Sequence, residues 1–416
     1  MILTISLNRL WFAIPLLFGL TSVPAMAQAI AEIGTLIREE RPVQTSELTH
    51  RRLTRILELY EMDEIGEALE LLESLETQRL STYGATLVQQ TFGFCYLQQG
   101  DVARAIEAFE RTVSLDGLPN FSQQEMRYSL AALYATEGRF EQAIDTLSTW
   151  YAYAVEPVGA DKFMLTGSSY AQLSEFANAL PYIEEAISRS EEPNESWYTL
   201  ELSIHFELMD YPSAAGHLRE MVVLWPDDAS YWEMLASVYL ELQDDANSLA
   251  TLMVAYENDL VDEEAKLLNL VRLNLFLDVP YRAGMIMAVG FAEDTIAETH
   301  ANLELLLSAW TSAREFERAL DVIDRLAPLT DDGAYYMQKA QLLNEQGRWS
   351  DVIEAADRAL EMGGLDDAGS TLVLKGIAQA ELGLYAEARV TFGAARELDT
   401  AAARNAEAWI EYISDR

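Results

Sequence analysis

Four histidines, one cysteine and 68 acidic side chains are the groups from which this chain of 416 residues could build a reactive centre. His50, His205, His217 and His300 are scattered, and none stands with another His, Cys or acid at the spacing metal ligation uses. There is no glycine-rich phosphate loop, no G-x-S-x-G elbow and no other nucleophile motif. Acid pairs such as Glu39-Glu40, Asp227-Asp228 and Glu263-Glu264 recur, but 68 acids produce such pairs by chance, and they read as solvated surface. Cys95 sits among Phe92, Phe94 and Tyr96, a setting for a buried small apolar residue, and a lone cysteine forms no internal disulfide. No catalytic residue, metal site or cofactor is predicted.

The charge narrows the partners. The formal net charge is −40, with only four lysines: Lys162, Lys266, Lys339 and Lys375. Such a chain repels phosphate backbones and anionic lipid, which argues against nucleic acid and membrane surfaces. It can attract a basic partner, or the acids can serve solubility in a salty medium, since they are spread along the chain.

Residues 1–27 form a separate object. Arg9 supplies the only early positive charge, Leu10 to Leu20 is apolar apart from Pro15 and Gly19, and Ala25-Met26-Ala27 has the small-x-small form of a cleavage site. A secretory leader cut between Ala27 and Gln28 is predicted, placing the remainder in a bacterial periplasm. The apolar run is short for a membrane span and no comparable run follows, so the mature chain is not expected to insert.

What the rest of the chain does contain is a phrase repeated about ten times. Its small residue falls at Ala68, Ala105, Ala143, Ala179, Ala214, Ser248, Gly284, Ala319, Val352 and Ala388, at steps of 33 to 38 residues. An aromatic stands three before the anchor at Phe140, Phe176, Tyr211, Tyr281, Phe316, Trp349 and Tyr385. Another stands nine before it at Tyr96, Tyr134, Tyr170, Tyr239 and Trp310, and His205 takes that slot once, which predicts a core histidine. A small residue stands twelve before it at Gly93, Ala131, Gly167, Ala236, Ala340 and Gly376. Small residues let two helices approach, and aromatics fill the gaps beside them. Spacings of three and four keep these positions on one helical stripe. Gly100, Gly138, Gly347 and Gly383 suit the left-handed turn between helices, whereas Asp210-Tyr211-Pro212 and Asp278-Val279-Pro280 read as helix starts. The pattern is weakest at Ser248, preceded by Asp245, and at Gly284, where Arg272 and Leu275 take the small and aromatic slots. Pro181 inside a second helix predicts a bend. The reading divides the chain into a leader at 1–27, an N-terminal arm or helix at 28–48, a solenoid at 49–400 and a capping helix at 401–416 with Ala408, Trp409, Tyr412 and Ile413 inward.

This spacing resembles the tetratricopeptide repeat family across about 49–400. The resemblance implies an all-α, right-handed superhelical solenoid of about ten helix pairs whose first helices line a groove. Carried onto this sequence, the groove slots hold Tyr128, Ala132, Met164, Ser168, Thr199, Ser203 and Phe206, then Glu233, Ser237, Leu240, Asn269, Leu273 and Phe276. Small polar residues interleaved with Met, Phe and Leu suit a peptide. The lysine–asparagine clamp of some cytosolic members is not recognisable, since Lys266 and Asn269 lack partner lysines.

The leader followed by Arg41-Pro42-Val43-Gln44, with Phe140 to Asp145, Asn178 to Pro181 and Val279 to Ala283, further resembles exported tetratricopeptide proteins that accompany TonB–ExbB–ExbD systems. That resemblance implies a periplasmic scaffold for energised uptake, binding TonB-like or ExbD-like segments. A cell-envelope assembly factor contacting outer-membrane or peptidoglycan machinery is the second reading, and an enzyme or sugar-binding module the third.

Overall fold

The computed structural model describes residues 33–155, 157–398 and 401–414. The predicted leader and its cut at Ala27–Gln28 lie outside the described residues. The chain divides into two compact units, one up to His217 and one from Leu218.

The first unit begins with α1 (Glu47–Glu61) and α2 (Ile65–Glu76), followed by α3 (Thr82–Gln98) and α4 (Val102–Leu115). It continues with α5 (Asn120–Thr136) and α6 (Phe140–Tyr153), α7 (Ala160–Gln172) and α8 (Phe176–Arg189), then α9 (Glu195–Glu207). The next helix, α10 (Tyr211–Leu224), carries the boundary. The second unit holds α11 (Ala229–Glu241) with α12 (Asp245–Glu257), α13 (Glu264–Phe276) with α14 (Pro280–Ala292), and α15 (His300–Ser312) with α16 (Phe316–Leu326). A 3-10 turn at Ala327–Leu329 follows, then α17 (Ala334–Glu345) with α18 (Trp349–Met362), α19 (Ala368–Glu381) with α20 (Tyr385–Arg396), and α21 (Ala401–Ile413). No described helix is long and apolar enough to cross a membrane.

Three residues join the helices of every pair, and the middle one is always left-handed. Gly100, Gly138, Gly347 and Gly383 fill that place as expected, but Asp63, Ser174, Met209, Gln243, Asp278 and Arg314 fill the other six. The third residue's N–H donates to the carbonyl five residues back, as in Asp101 to Tyr96 (2.8 Å), Glu175 to Tyr170 (3.0 Å) and Arg348 to Leu343 (3.0 Å). That bond closes the helix end and fixes the entry of the next helix.

The same bond sets the register of the repeats. The anchor lies four residues after the third turn residue: Asp101 before Ala105, Arg139 before Ala143, Asp244 before Ser248. In the seventh pair the bond runs from Val279 to Asn274, so the anchor is Ala283 and not Gly284. Its slots are then Val271 and Asn274, both fully buried, whereas Arg272 is exposed. Ala68, Ala105, Ala143, Ala179, Ala214, Ser248, Ala283, Ala319, Val352 and Ala388 all have no accessible surface.

The close approaches are where the small residues predict them. A Cβ on Gly93 would lie 2.2 Å from the Phe109 ring, and one on Gly376 2.5 Å from the Phe392 ring. Cys95 is buried, which pushes its thiol up to about 11. Helix α8 runs unbroken through the buried Pro181, which leaves the Ala177 carbonyl without an intrahelical donor. In the cap Ile413 is buried and Trp409 stacks on Phe392 at 5.9 Å as expected, but Ala402 and Ala406 are the other buried residues, and Ala408 and Tyr412 are exposed.

The described N-terminal residues form no helix before Glu47, and the arm is pinned. Gly34 and Leu36 donate backbone N–H groups to Tyr151 O (3.0 Å) and Ala152 O (2.8 Å) at the end of α6. The Arg38 guanidinium reaches Asp116 Oδ1 (2.8 Å), Asn120 Oδ1 (2.6 Å) and the Asp116 and Leu118 carbonyls. Arg41 pairs with Asp116 Oδ2 at 2.8 Å, and the Gln44 carbonyl accepts from Ser81 Oγ. Partial burial works to raise the Asp116 carboxyl, but hydrogen bonds and charge from Arg41 and Arg38 outweigh it and hold the group below its usual range. A depressed carboxyl contributes stability above its unfolded value and loses it as pH falls through the folded one. Arm protection at Gly34 and Leu36 should therefore hold at pH 5 and fall only below about pH 3.9. Hydrogen exchange corrected for intrinsic rate reads this, and an unchanged profile across that range would contradict it.

Candidate partner-binding face

In the first helices α5 to α17 the positions 15, 11 and 8 residues before the anchor are the accessible slots, whereas their equivalents Leu53 on α1 and Val373 and Ala380 on α19 are buried. In the first unit they carry Tyr128 and Ala132 on α5, Met164 and Ser168 on α7, and Thr199, Ser203 and Phe206 on α9. Tyr128 and Met164 are drawn inward, packing with Trp150, Tyr151 and Phe163, and Lys162 Nζ lies 4.5 Å from the Tyr128 ring centroid. Burial and the nearby Asp161 push the Tyr128 hydroxyl well above its usual range. Ala132 and Ser168 are half-buried, Thr199 and Ser203 exposed, and Phe206 half-buried. The hydroxyls bond their own helices: Ser168 to Leu165 O, Thr199 to Glu195 O and Ser203 to Leu200 O. Their hydrogens are thus in use, and their lone pairs are what they offer a peptide N–H.

In the second unit Glu233, Ser237 and Leu240 occupy the slots of α11. Leu240 is 45% exposed, and Ser237 donates to Glu233 O. Lys266 Nζ lies 2.7 Å from Glu233 and 3.1 Å from Glu263, and these bonds raise its pKa. This lysine is engaged by carboxylates and forms no clamp with Asn269, which instead accepts from Arg272. The register shift also moves the last three expected residues. The equivalent slots on α13 are Leu268, Arg272 and Leu275, so Asn269, Leu273 and Phe276 lie one position round the helix. Phe276 is 75% exposed and corresponds to Glu207 and Glu241, not to Phe206 and Leu240.

Helix packing also brings together groups that sequence spacing keeps apart. His205 Nε2 and His217 Nδ1 stand 3.5 and 3.4 Å from Glu201 Oε1, and all three residues are buried. His217 Nε2 lies 2.9 Å from Tyr198 O, while His205 Nδ1 has no partner. Twelve residues separate the two histidines, and only the α9–α10 turn folds them onto one carboxylate. His205 is the core histidine the repeat predicts. Among the described residues no three His, Cys, Asp or Glu side chains converge as a metal site.

A cleft of about 920 Å³ lies along α16, α17 and α18, and none of its lining residues occupies an accessible first-helix slot. Its acids are largely matched: Arg348 to Glu317 and Asp351, Lys339 to Asp324, Arg358 to Glu361. That pairing leaves little to polarise a substrate.

Residues 96–157, from the end of α3 past α6, match the family model for the tetratricopeptide repeat. A tetratricopeptide repeat protein from Parabacteroides merdae is similar at 14% identity over 64% of this chain and 99% of that chain, with a TM-score of 0.35. YrrB, a TPR protein with an unusual peptide-binding site, is similar at 16% identity over 41% of this chain and 85% of that chain, with a TM-score of 0.34. The structure of Naa15/Naa10 bound to HypK is similar at 15% identity over 88% of this chain and 72% of that chain, with a TM-score of 0.30. No curated protein matches the chain by sequence. The family match thus covers 96–157, and the stacked helix pairs described above extend the same architecture through the described chain.

Proposed function

We propose that this protein is a non-enzymatic interaction scaffold of the periplasm, which holds an extended segment of an envelope partner on its first-helix face. The supporting observation is the slot eight residues before the anchor. In the second unit it carries Leu240 and Leu275 in successive pairs, and Leu240 is 45% exposed. A large apolar side chain left accessible beside a hydroxyl and paired charges, as Leu240 is beside Ser237 and the Glu233–Lys266 pair, is what peptide grooves use as an anchor. The resemblance to proteins accompanying TonB–ExbB–ExbD systems names the partner class: a basic, proline-rich periplasmic segment of the TonB or ExbD type. The net charge of −40 suits such a segment.

In-cell crosslinking of the tagged protein in its host, followed by identification of captured chains, tests this. TonB-family or ExbD-family capture supports the uptake scaffold. Enrichment of outer-membrane or peptidoglycan machinery instead would replace it with the assembly-factor reading. With a partner segment in hand, Leu240→Glu is expected to weaken binding at least about tenfold, the loss of roughly one anchor contact. Phe276→Glu, one position off the row, should leave affinity within about twofold. Titration calorimetry distinguishes the two, and equal losses would remove the row from the model.

A further inference from the structure

We propose that the edge formed by the end of α6, the α4–α5 loop and the start of α3 is a recognition site for an extended, arginine-bearing peptide, and that residues 33–46 of the same chain fill it as a ligand in cis. The arm behaves as bound peptides do. It bonds through alternate backbone N–H groups, Gly34 and Leu36, to the Tyr151 and Ala152 carbonyls in the last turn of α6. Most of its side chains face solvent, with Ile37 94% exposed, but the Arg38 side chain is only 8% exposed.

The receptor is built around that arginine. Asp116 takes a left-handed conformation at the end of α4 (φ 50°), which turns its carboxylate and its own carbonyl toward one guanidinium. The Leu118 carbonyl and Asn120 Oδ1 complete the cradle, and Asn120 Nδ2 returns a bond to Arg38 O (3.2 Å). Bonds at these positions read a planar fork, which lysine does not present. The site also connects inward. Ile33 packs against the cluster that contains Trp150, Tyr151 and Phe163 together with Tyr128 and Met164. Occupancy of the edge site thus bears on the packing behind two residues of the first-helix face. The assignment does not rest on the proposed partner and can fail without affecting it.

The test uses the full chain, folded before the arm is freed. A specific protease site inserted after the exposed Val43 allows the arm to be cut from the intact protein. In native mass spectrometry the cut arm is expected to stay bound one to one. After it is washed out in dilute solution, a synthetic peptide of residues 33–43 should rebind one to one. The same peptide with Arg38→Ala should bind about a hundredfold more weakly, the loss of a set of charge-assisted bonds. The Arg38→Lys peptide should stay closer to the alanine form than to the parent. Because only the peptide is varied in the comparison, the one variant protein that has to fold is the parent carrying the protease site. Failure of the parent peptide to rebind, or equal binding by the alanine peptide, would overturn the proposal. Concentration-dependent dimers of the uncut chain with exchanged arms would overturn the cis assignment.

Discussion

Replacing Asp116 with alanine is expected to destabilise the first unit by about 3–5 kcal/mol, the range seen when one partner of a buried ion pair is removed. The carboxylate serves three cations at once. Arg38 binds it at 2.8 Å and Arg41 at 2.8 Å, and Arg127 lies 3.9 Å away. Arg38 and Arg127 have side chains only 8% and 9% exposed, so removing the acid leaves two largely buried cations without their carboxylate. Burial already weakens the hold of Arg127 on its proton, and Asp116 is the main charge opposing that. The Tyr153 ring 4.9 Å from Arg127 and the Gln124 bond remain, but neither carries negative charge. Asp116→Asn keeps an acceptor and should fall between alanine and the parent. Urea unfolding followed by circular dichroism, with hydrogen exchange to localise the change, reads the effect. A loss under about 1 kcal/mol would mean that the arginines find solvent, and the buried-pair account would be abandoned.

A single methyl group in the second unit should have a comparable effect. Gly333 caps α17 at φ −86°, a conformation alanine adopts without strain. Yet a Cβ there would lie 2.2 Å from Ala359 O and 2.8 Å from its Cα and carbonyl carbon. These are backbone atoms inside α18, so no rotamer change relieves the contact. The Gly333 N–H is also tied to Gly363 O at 2.8 Å, which resists a shift of the helix start. Gly333→Ala is expected to cost about 3 kcal/mol or more, at the upper end of overpacking effects. Gly100→Ala is the informative contrast. Its Cβ meets nothing within 4 Å, but φ is +76°, so the cost is conformational and about 1 kcal/mol. Thermal melts of the two variants separate a steric from a conformational glycine. A Gly333→Ala protein no less stable than Gly100→Ala would refute the distinction.

The helix pairs were legible because their determinants are local. Small anchors, aromatics and turn signals recur at fixed offsets, and nine of the ten anchors are where the pattern places them. The tenth slipped because Tyr281 imitates the aromatic that precedes an anchor, while the true first residue of α14 is Pro280. That slip carried Asn269, Leu273 and Phe276 one position round α13. The arm was not legible because it has no periodicity, and its key contacts join Arg38 to residues 78 to 82 positions away. The two buried histidines escaped for the same reason: their meeting point is a property of packing between helices. Of the expected peptide face, the chemistry of individual side chains was readable, but the inward turn of Tyr128 and Met164 depends on neighbours such as Trp150 and Phe163.

The left-handed turns separate geometry from residue identity. Ten joints share one hydrogen-bond pattern, yet glycine, aspartate, serine, methionine, glutamine and arginine all occupy the central place. A non-glycine residue there costs about 1 kcal/mol, which the buried anchors on either side absorb. The joints can therefore drift, acquire charge or be copied with a whole repeat while the helices they connect keep their angle of entry. An array built this way can change its surface without redesigning its frame, and such freedom favours a protein whose partners change faster than its fold.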